Sequence, residues 1–93
     1  MTEPERIARL VVVHGRVQGV FFRDSCRTEA EVADVSGWVS NADDGTVHAH
    51  FEGRPEDVDR LLAWVRHGPR HASVVRVDVH EVPPEGHSVF RVR

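Results

Sequence analysis

Two hydrophobic periods alternate along this chain, and the points where one gives way to the other divide it into elements. Ile7–His14 is a nearly continuous β-branched and apolar run, the pattern of a central strand. Gly15–Phe21 interrupts it with two glycines in seven residues and reads as a loop. From Phe22 the period lengthens. Phe22, Cys26, Ala30 and Ala33 fall at i, i+4, i+8 and i+11, one narrow apolar stripe on a helix that Asp34–Gly37 ends. Trp38–Asn41 reads as a second strand, and Ala42–Gly45 as a turn, because Asp-Gly between two strand-like runs signals a hairpin. Thr46–Glu52 alternates: Val47, Ala49 and Phe51 share one face, His48, His50 and Glu52 the other.

Pro55 marks the start of a second helix, with Glu56 and Asp57 at the positive end of its dipole. Val58, Leu61, Leu62 and Val65 recur at i, i+3, i+4 and i+7, and Gly68-Pro69 stops the helix. Val75, Val77 and Val79 alternate with Arg76, Asp78 and His80 in another strand. Pro83–Gly86 is a turn and Ser88–Val92 a short last strand. Residues 1–6 are polar and read as a frayed lead-in. The order β-α-β-β-α-β with an extra terminal strand predicts an α+β, ferredoxin-like sandwich. Its antiparallel sheet of four to five strands would carry both helices on one face and a polar, solvated surface on the other.

Length makes this a single small domain over residues 1–93. Composition adds little, since 40% hydrophobic and 29% charged residues are ordinary for a soluble globular protein. The net charge of −3 counts against a nucleic-acid partner and requires any anion site to be built locally. Cys26 is the only cysteine, so no intramolecular disulfide forms, which fits a reducing compartment. The N-terminus lacks an apolar signal core, and no stretch approaches the ~20 apolar residues of a membrane span. The expectation is a cytoplasmic monomer without a membrane partner. Many unrelated activities use this fold, so function has to come from a site.

The most informative junction is the one between the first strand and the first helix. A helix N-terminus offers backbone N–H groups without internal partners and a partial positive charge. A glycine-containing loop ahead of it lets further N–H groups curl toward one point and form an anion nest. Gly15 and Gly19 supply that freedom in Gly15–Arg23, GRVQGVFFR. Arg23 falls in the first helical turn, where a cation opposes the dipole unless a bound anion reverses the sign. Its planar fork suits the oxygens of a phosphate. The competing reading is a plain strand-to-helix turn with a solvated arginine. The loop matches neither GxxxxGK[ST] nor GxGxxG. Asn41, before the turn at 42–45, has an amide that can hold and aim a water, or serve simply as a turn residue.

Together these segments resemble the acylphosphatase family. Gly15-Arg16-Val17-Gln18-Gly19-Val20-Phe21-Phe22-Arg23 is similar to its first signature. Gly37-Trp38-Val39-Ser40-Asn41, followed by Asp44-Gly45-Thr46-Val47, is similar to its second. Gly53 and Gly68-Pro69 also fall where the family usually has them, so the likeness covers about residues 7–93. The resemblance implies a five-stranded ferredoxin-like sandwich that hydrolyses carboxyl–phosphate bonds of small acyl phosphates, with no metal, no other cofactor and no phosphoenzyme. By that resemblance Arg23 binds the phosphate and Asn41 orients the attacking water. The backbone of Gly15, Arg16, Val17, Gln18, Gly19 and Val20 cradles the phosphoryl group, and inorganic phosphate is both product and inhibitor. Two positions depart from the usual pattern or vary within it. Ala42 stands where many members carry a hydroxyl residue, and His14 occupies a variable position.

Rival chemistries are poorly supported. A cysteine phosphatase needs Cys-x5-Arg, but Val32 stands at the arginine position after Cys26, which reads as a small core residue. His48 and His50 share a strand face, yet no recognised metal spacing accompanies them, so a solvated face is expected and no metal. Trp38 and Trp64 read as core anchors. Asp43-Asp44 and Glu56-Asp57 have turn and helix-start explanations. A non-catalytic ligand-binding module is the class-level alternative, but it would need only the cradle and not Asn41. An RNA-binding sheet lacks a stacking pair of aromatics.

Overall fold

The computed structural model describes residues 5–93. The elements are β1 (Ile7–Arg16), α1 (Phe22–Ala33), β2 (Ser36–Asn41), β3 (Val47–Gly53), α2 (Pro55–Val65), β4 (Ser73–Val82) and β5 (Phe90–Val92). They form one five-stranded sheet in the order β4-β1-β3-β2-β5. The expected lead-in at residues 1–6 lies outside the described residues for its first four positions. Arg6 is held in place, its guanidinium donating to Ser36 Oγ at 3.2 Å and to Glu52 Oε2 at 3.4 Å.

The helical stripes and inward strand positions meet in one core. Val11 and Val13 of β1, Val39 of β2 and Val47, Ala49 and Phe51 of β3 pack with Phe22, Cys26, Ala30 and Ala33 of α1 and Val58, Leu61 and Val65 of α2. Burial raises the Cys26 thiol well above its ordinary range, with Glu29 adding to the shift, so it sits there protonated and unreactive. The helical positions and Val47, Ala49 and Phe51 follow from the 3.6- or 2-residue periodicity, whereas Val11, Val13 and Val39 take their inward places from the strand pairing.

Three expectations need correction. The sheet is mixed rather than antiparallel, because β5 pairs with β2 in parallel while the other pairs are antiparallel. The reason is that β4 and β5 lie at opposite edges, so residues 83–89 must cross the face the helices leave open. Seven extended residues reach roughly 23–25 Å. The four inter-strand gaps add up to roughly 19 Å, so the crossing is feasible.

That crossover changes the outer face. His50 is 2% exposed and Glu52 fully buried, where the alternation predicted solvated side chains. Burial by itself would raise the Glu52 carboxyl. Hydrogen bonds from His50, the Glu85 N–H, Arg6 and the His87 N–H outweigh it and hold the group down to about 2.

Trp38 is not a core anchor. It sits opposite His50 in the register, on the outer face, half-buried, while its neighbour Val39 opposite Ala49 takes the inward place. Its ring stacks on His50 at 6.2 Å and carries the Arg93 guanidinium 4.6 Å above it. Trp64 packs beside the core against Phe22, with ring centroids 5.5 Å apart.

Candidate functional site

Strand direction assembles the site. β1 and β2 each pair antiparallel with β3 and so run the same way, and β5 runs parallel to β2. Their C-terminal ends therefore reach one end of the sheet. β1 delivers the loop into α1, β2 delivers Asn41, and β5 delivers Val92 and Arg93. A cavity of about 410 Å³ opens there, lined by Val17, Gly19, Phe21, Phe22, Arg23, Asp24, Asn41 and Val92. Arg23 and Asn41, 18 positions apart in the chain, thus share one cavity.

The loop itself has the backbone of a nest. Gly19 (φ 74°) and Phe21 (φ 62°) are left-handed, while Gln18 and Val20 are not. Alternation of this kind turns successive N–H groups toward a common side. Among the described residues, none of the N–H groups of residues 18–21 donates to a protein acceptor. Phe21 is the N-cap of α1, and its side chain makes no capping hydrogen bond. The helix start is therefore left with orphan donors of the kind an anion satisfies. Val17 and Val20 are buried at 1% and 7% exposure, and they anchor the loop to the core by side chains while its main chain faces the task of binding.

The predicted cradle divides in two. Gly15 and Arg16 continue β1 and pair with Val74 and Ser73 of β4, beyond a bulge at His14/Gly15. A Cβ at Gly15 would collide with the Ser73 carbonyl oxygen, so glycine is required there for close strand approach. Val17, Gln18, Gly19 and Val20 form the loop proper.

Side-chain bonds that span many positions hold the parts together. Gln18 Nε2 donates to the carbonyl oxygens of Ala42 at 2.7 Å and Thr46 at 3.0 Å, tying the loop to the β2–β3 turn. Asp44 accepts from the Thr46 hydroxyl and, at 3.0 Å, from the Thr46 N–H. These bonds, the hydroxyl first, hold the Asp44 carboxyl below its ordinary value. The Ala42 N–H donates to Thr46 O at 2.9 Å, so the turn closes through its backbone, and the missing hydroxyl at position 42 does not leave it open. Arg23 Nη1 donates to the backbone carbonyl of Arg93 at 2.8 Å, which seats the guanidinium at the cavity.

Sequence reasoning missed three participants. The sequence marks Gln18 only as part of a backbone cradle, and no local signal marks side-chain partners 24 and 28 positions away. The Arg93 carbonyl was equally invisible. Phe21 did leave a signal. It falls out of phase with the Phe22–Cys26–Ala30 stripe, so it has no place in the core, and it is 79% exposed at the cavity. His48, His50 and Cys26 do not line this cavity.

Comparison with known proteins gives the same direction. The family model described as Acylphosphatase matches residues 9–92. An acylphosphatase from Rubrobacter xylanophilus is 57% identical over 76 residues, covering 82% of this chain and 69% of that protein. One from Thermococcus kodakarensis is 47% identical over 88 residues, 95% of this chain and 97% of the relative. The solved structure of an acylphosphatase from Coxiella burnetii superposes with a TM-score of 0.95 at 39% identity, covering 100% of both chains.

Proposed function

This chain belongs to the acylphosphatase family, hydrolases of small acyl phosphates, and from that premise we propose a division of labour in which the loop and Arg23 hold the phosphoryl group while Asn41 aims the water. The observation that carries this reading is the sharing of one cavity by Arg23, Asn41 and the nest-like loop. A volume of about 410 Å³ suits a small phosphorylated acid.

The phosphoryl oxygens accept from the N–H groups of the loop, centred on residues 18–21, and from Arg23. A guanidinium has five N–H donors, so the bond to Arg93 O leaves others for the phosphate while fixing the plane of the fork. The preorganised donors stabilise the charge that spreads over the phosphoryl oxygens during transfer. On this reading Arg23 and the N–H dipoles provide that stabilisation and no metal is required. Asn41 holds a water in line with the carboxylate leaving group. The water oxygen bonds to phosphorus as the phosphorus–acyl oxygen bond breaks, and the carboxylate departs with the electron pair. A carboxylate is a good leaving group, so no strong acid is needed, and a phosphoryl oxygen takes the proton of the water. Positioning and electrostatics account for most of the rate.

Inorganic phosphate, the product, occupies the same nest and inhibits. The lone cysteine fits a reducing, cytoplasmic setting, a monomer is the simplest assembly, and no helix is long and apolar enough to cross a membrane among the described residues. The test is hydrolysis of benzoyl phosphate followed by ultraviolet absorbance in EDTA. Turnover under these conditions is expected; binding of phosphate without turnover would make the chain a binding module instead.

A further inference from the structure

Away from the reaction cavity, the crossover at residues 83–89 brings a second chemistry onto the outer face of the sheet. His50 Nε2 lies 2.9 Å from Glu52 Oε1 and 3.8 Å from Glu85 Oε1, and His87 Nε2 lies 2.8 Å from Glu85 Oε1. The ligating atoms of all four side chains fall within 4.8 Å of one another. We propose that His50, Glu52, Glu85 and His87 bind one divalent transition-metal ion of the zinc type, which fastens the 83–89 crossover to β3.

The donor set selects the metal. Two imidazole nitrogens and two carboxylate oxygens suit Zn²⁺ and its neighbours, whereas Mg²⁺ and Ca²⁺ prefer all-oxygen surroundings. A tetrahedral ion with bonds of about 2.0–2.1 Å separates its ligand atoms by roughly 3.3 Å. The close pairs here lie just inside that spacing and the His50–Glu85 pair just outside it. Each close pair is now a nitrogen and a carboxylate oxygen sharing a proton. With the imidazole proton on Nδ1, the Nε2 lone pair faces the ion, which then lies between nitrogen and carboxylate oxygen, and the pair opens by a few tenths of an ångström.

The surroundings already orient the ligands. Glu52 Oε2 accepts from the N–H groups of Gly86 and His87 at 3.2 and 3.1 Å and from Arg6 at 3.4 Å. Oε2 is thereby fixed by outer partners, and Oε1 lies against His50 while also accepting from the Glu85 and Gly86 N–H groups, so the carboxylate is oriented before an ion arrives. Those same N–H bonds hold the loop that carries Glu85 and His87. The buried half of the set, His50 and Glu52, comes from a rigid strand, and Glu85, 57% exposed, leaves a route from solvent. None of the four residues lines the reaction cavity. The ion would therefore act on stability, by fixing the crossover that leads to β5.

The whole chain, stripped with EDTA and then freed of chelator, is titrated with ZnCl₂ by calorimetry and thermal melting. A single ion per chain and a higher Tm are expected, with no comparable shift from MgCl₂. CoCl₂ should give the visible absorption of a tetrahedral site. His87→Gln and Glu85→Gln, both on the crossover, should weaken Zn²⁺ by at least about tenfold, since loss of an outer-shell partner alone costs ~10–100-fold. Both variants should keep full benzoyl phosphate hydrolysis, which shows that they fold and separates this outcome from the reading of the catalytic cavity. No Tm shift and no cobalt absorption, or binding by both variants as tight as wild type, would overturn the proposal.

Discussion

The Gln18 amide donates to the carbonyl of Ala42 at 2.7 Å, joining the glycine loop after β1 to the residue that follows Asn41. The same amide reaches Thr46 O at 3.0 Å, so one side chain sets the spacing between the two halves of the site. A Gln18→Leu change keeps the bulk and removes both bonds. Each net hydrogen bond contributes about 0.5–1.5 kcal/mol, so urea unfolding should show a loss of about 1–3 kcal/mol. Turnover should fall as well, because misplacing the water by a fraction of an ångström lowers the rate.

Phe21 is a bulky residue held at φ 62° with its ring 79% exposed. Such a conformation costs on the order of 1–3 kcal/mol and persists where the surroundings enforce it. Phe21→Gly should relieve the strain and, after the entropic cost of glycine, stabilise the fold by on the order of 1 kcal/mol. The ring borders the cavity, so its loss should raise KM for benzoyl phosphate more than for acetyl phosphate. Paired denaturation and kinetic measurements check both halves. Equal KM changes for the two substrates would remove the aryl contact from the account.

Asp44 gives a pH signature. Its folded carboxyl lies below the ordinary value through the Thr46 hydroxyl and N–H. A depressed carboxylate stabilises the fold above its unfolded value of about 3.9, and that contribution fades as pH falls through the lower folded value. Wild type should therefore melt above Asp44→Asn at neutral pH, and the two Tm curves should converge as the pH drops below about 4. Curves that stay parallel to low pH would mean that the charged turn contributes nothing.

Arg23→Lys keeps the charge and loses the fork. Charge-assisted hydrogen bonds contribute about 1.5–3 kcal/mol each, so phosphate binding should weaken by about 10–100-fold. Wild type in phosphate at a hundred times its Kd should gain about 2.7 kcal/mol, seen as a rise in Tm. Arg23→Lys at the same concentration should gain much less. An equal gain would place the phosphate elsewhere.

How much the chain revealed depended on range. The stripe Phe22–Cys26–Ala30–Ala33 and the alternation Val47–Ala49–Phe51 each report a local period, and both lie in the core as read. The loop and Arg23 drew attention because glycine placement and helix polarity are local features too, whereas the role of Asn41 entered through the family resemblance, and the residue shares their cavity. His50 and Glu52 were misjudged because their burial comes from residues 83–89, whose path across the sheet depends on where β5 pairs. Trp38 was misjudged because hydrophobicity suggested the core, while strand parity put Val39 there. The Gln18 and Arg23 anchors span 24 and 70 positions, and nothing nearby in sequence marks their partners.

The division of labour stands or falls on Asn41. The decisive measurement is kcat of Asn41→Ala with benzoyl phosphate, alongside the affinity of the variant for inorganic phosphate. Loss of a preorganised polar group in a site typically costs about 10²–10³ in kcat, and a fall of that order with phosphate affinity retained is expected. Turnover equal to wild type would contradict the role assigned to Asn41.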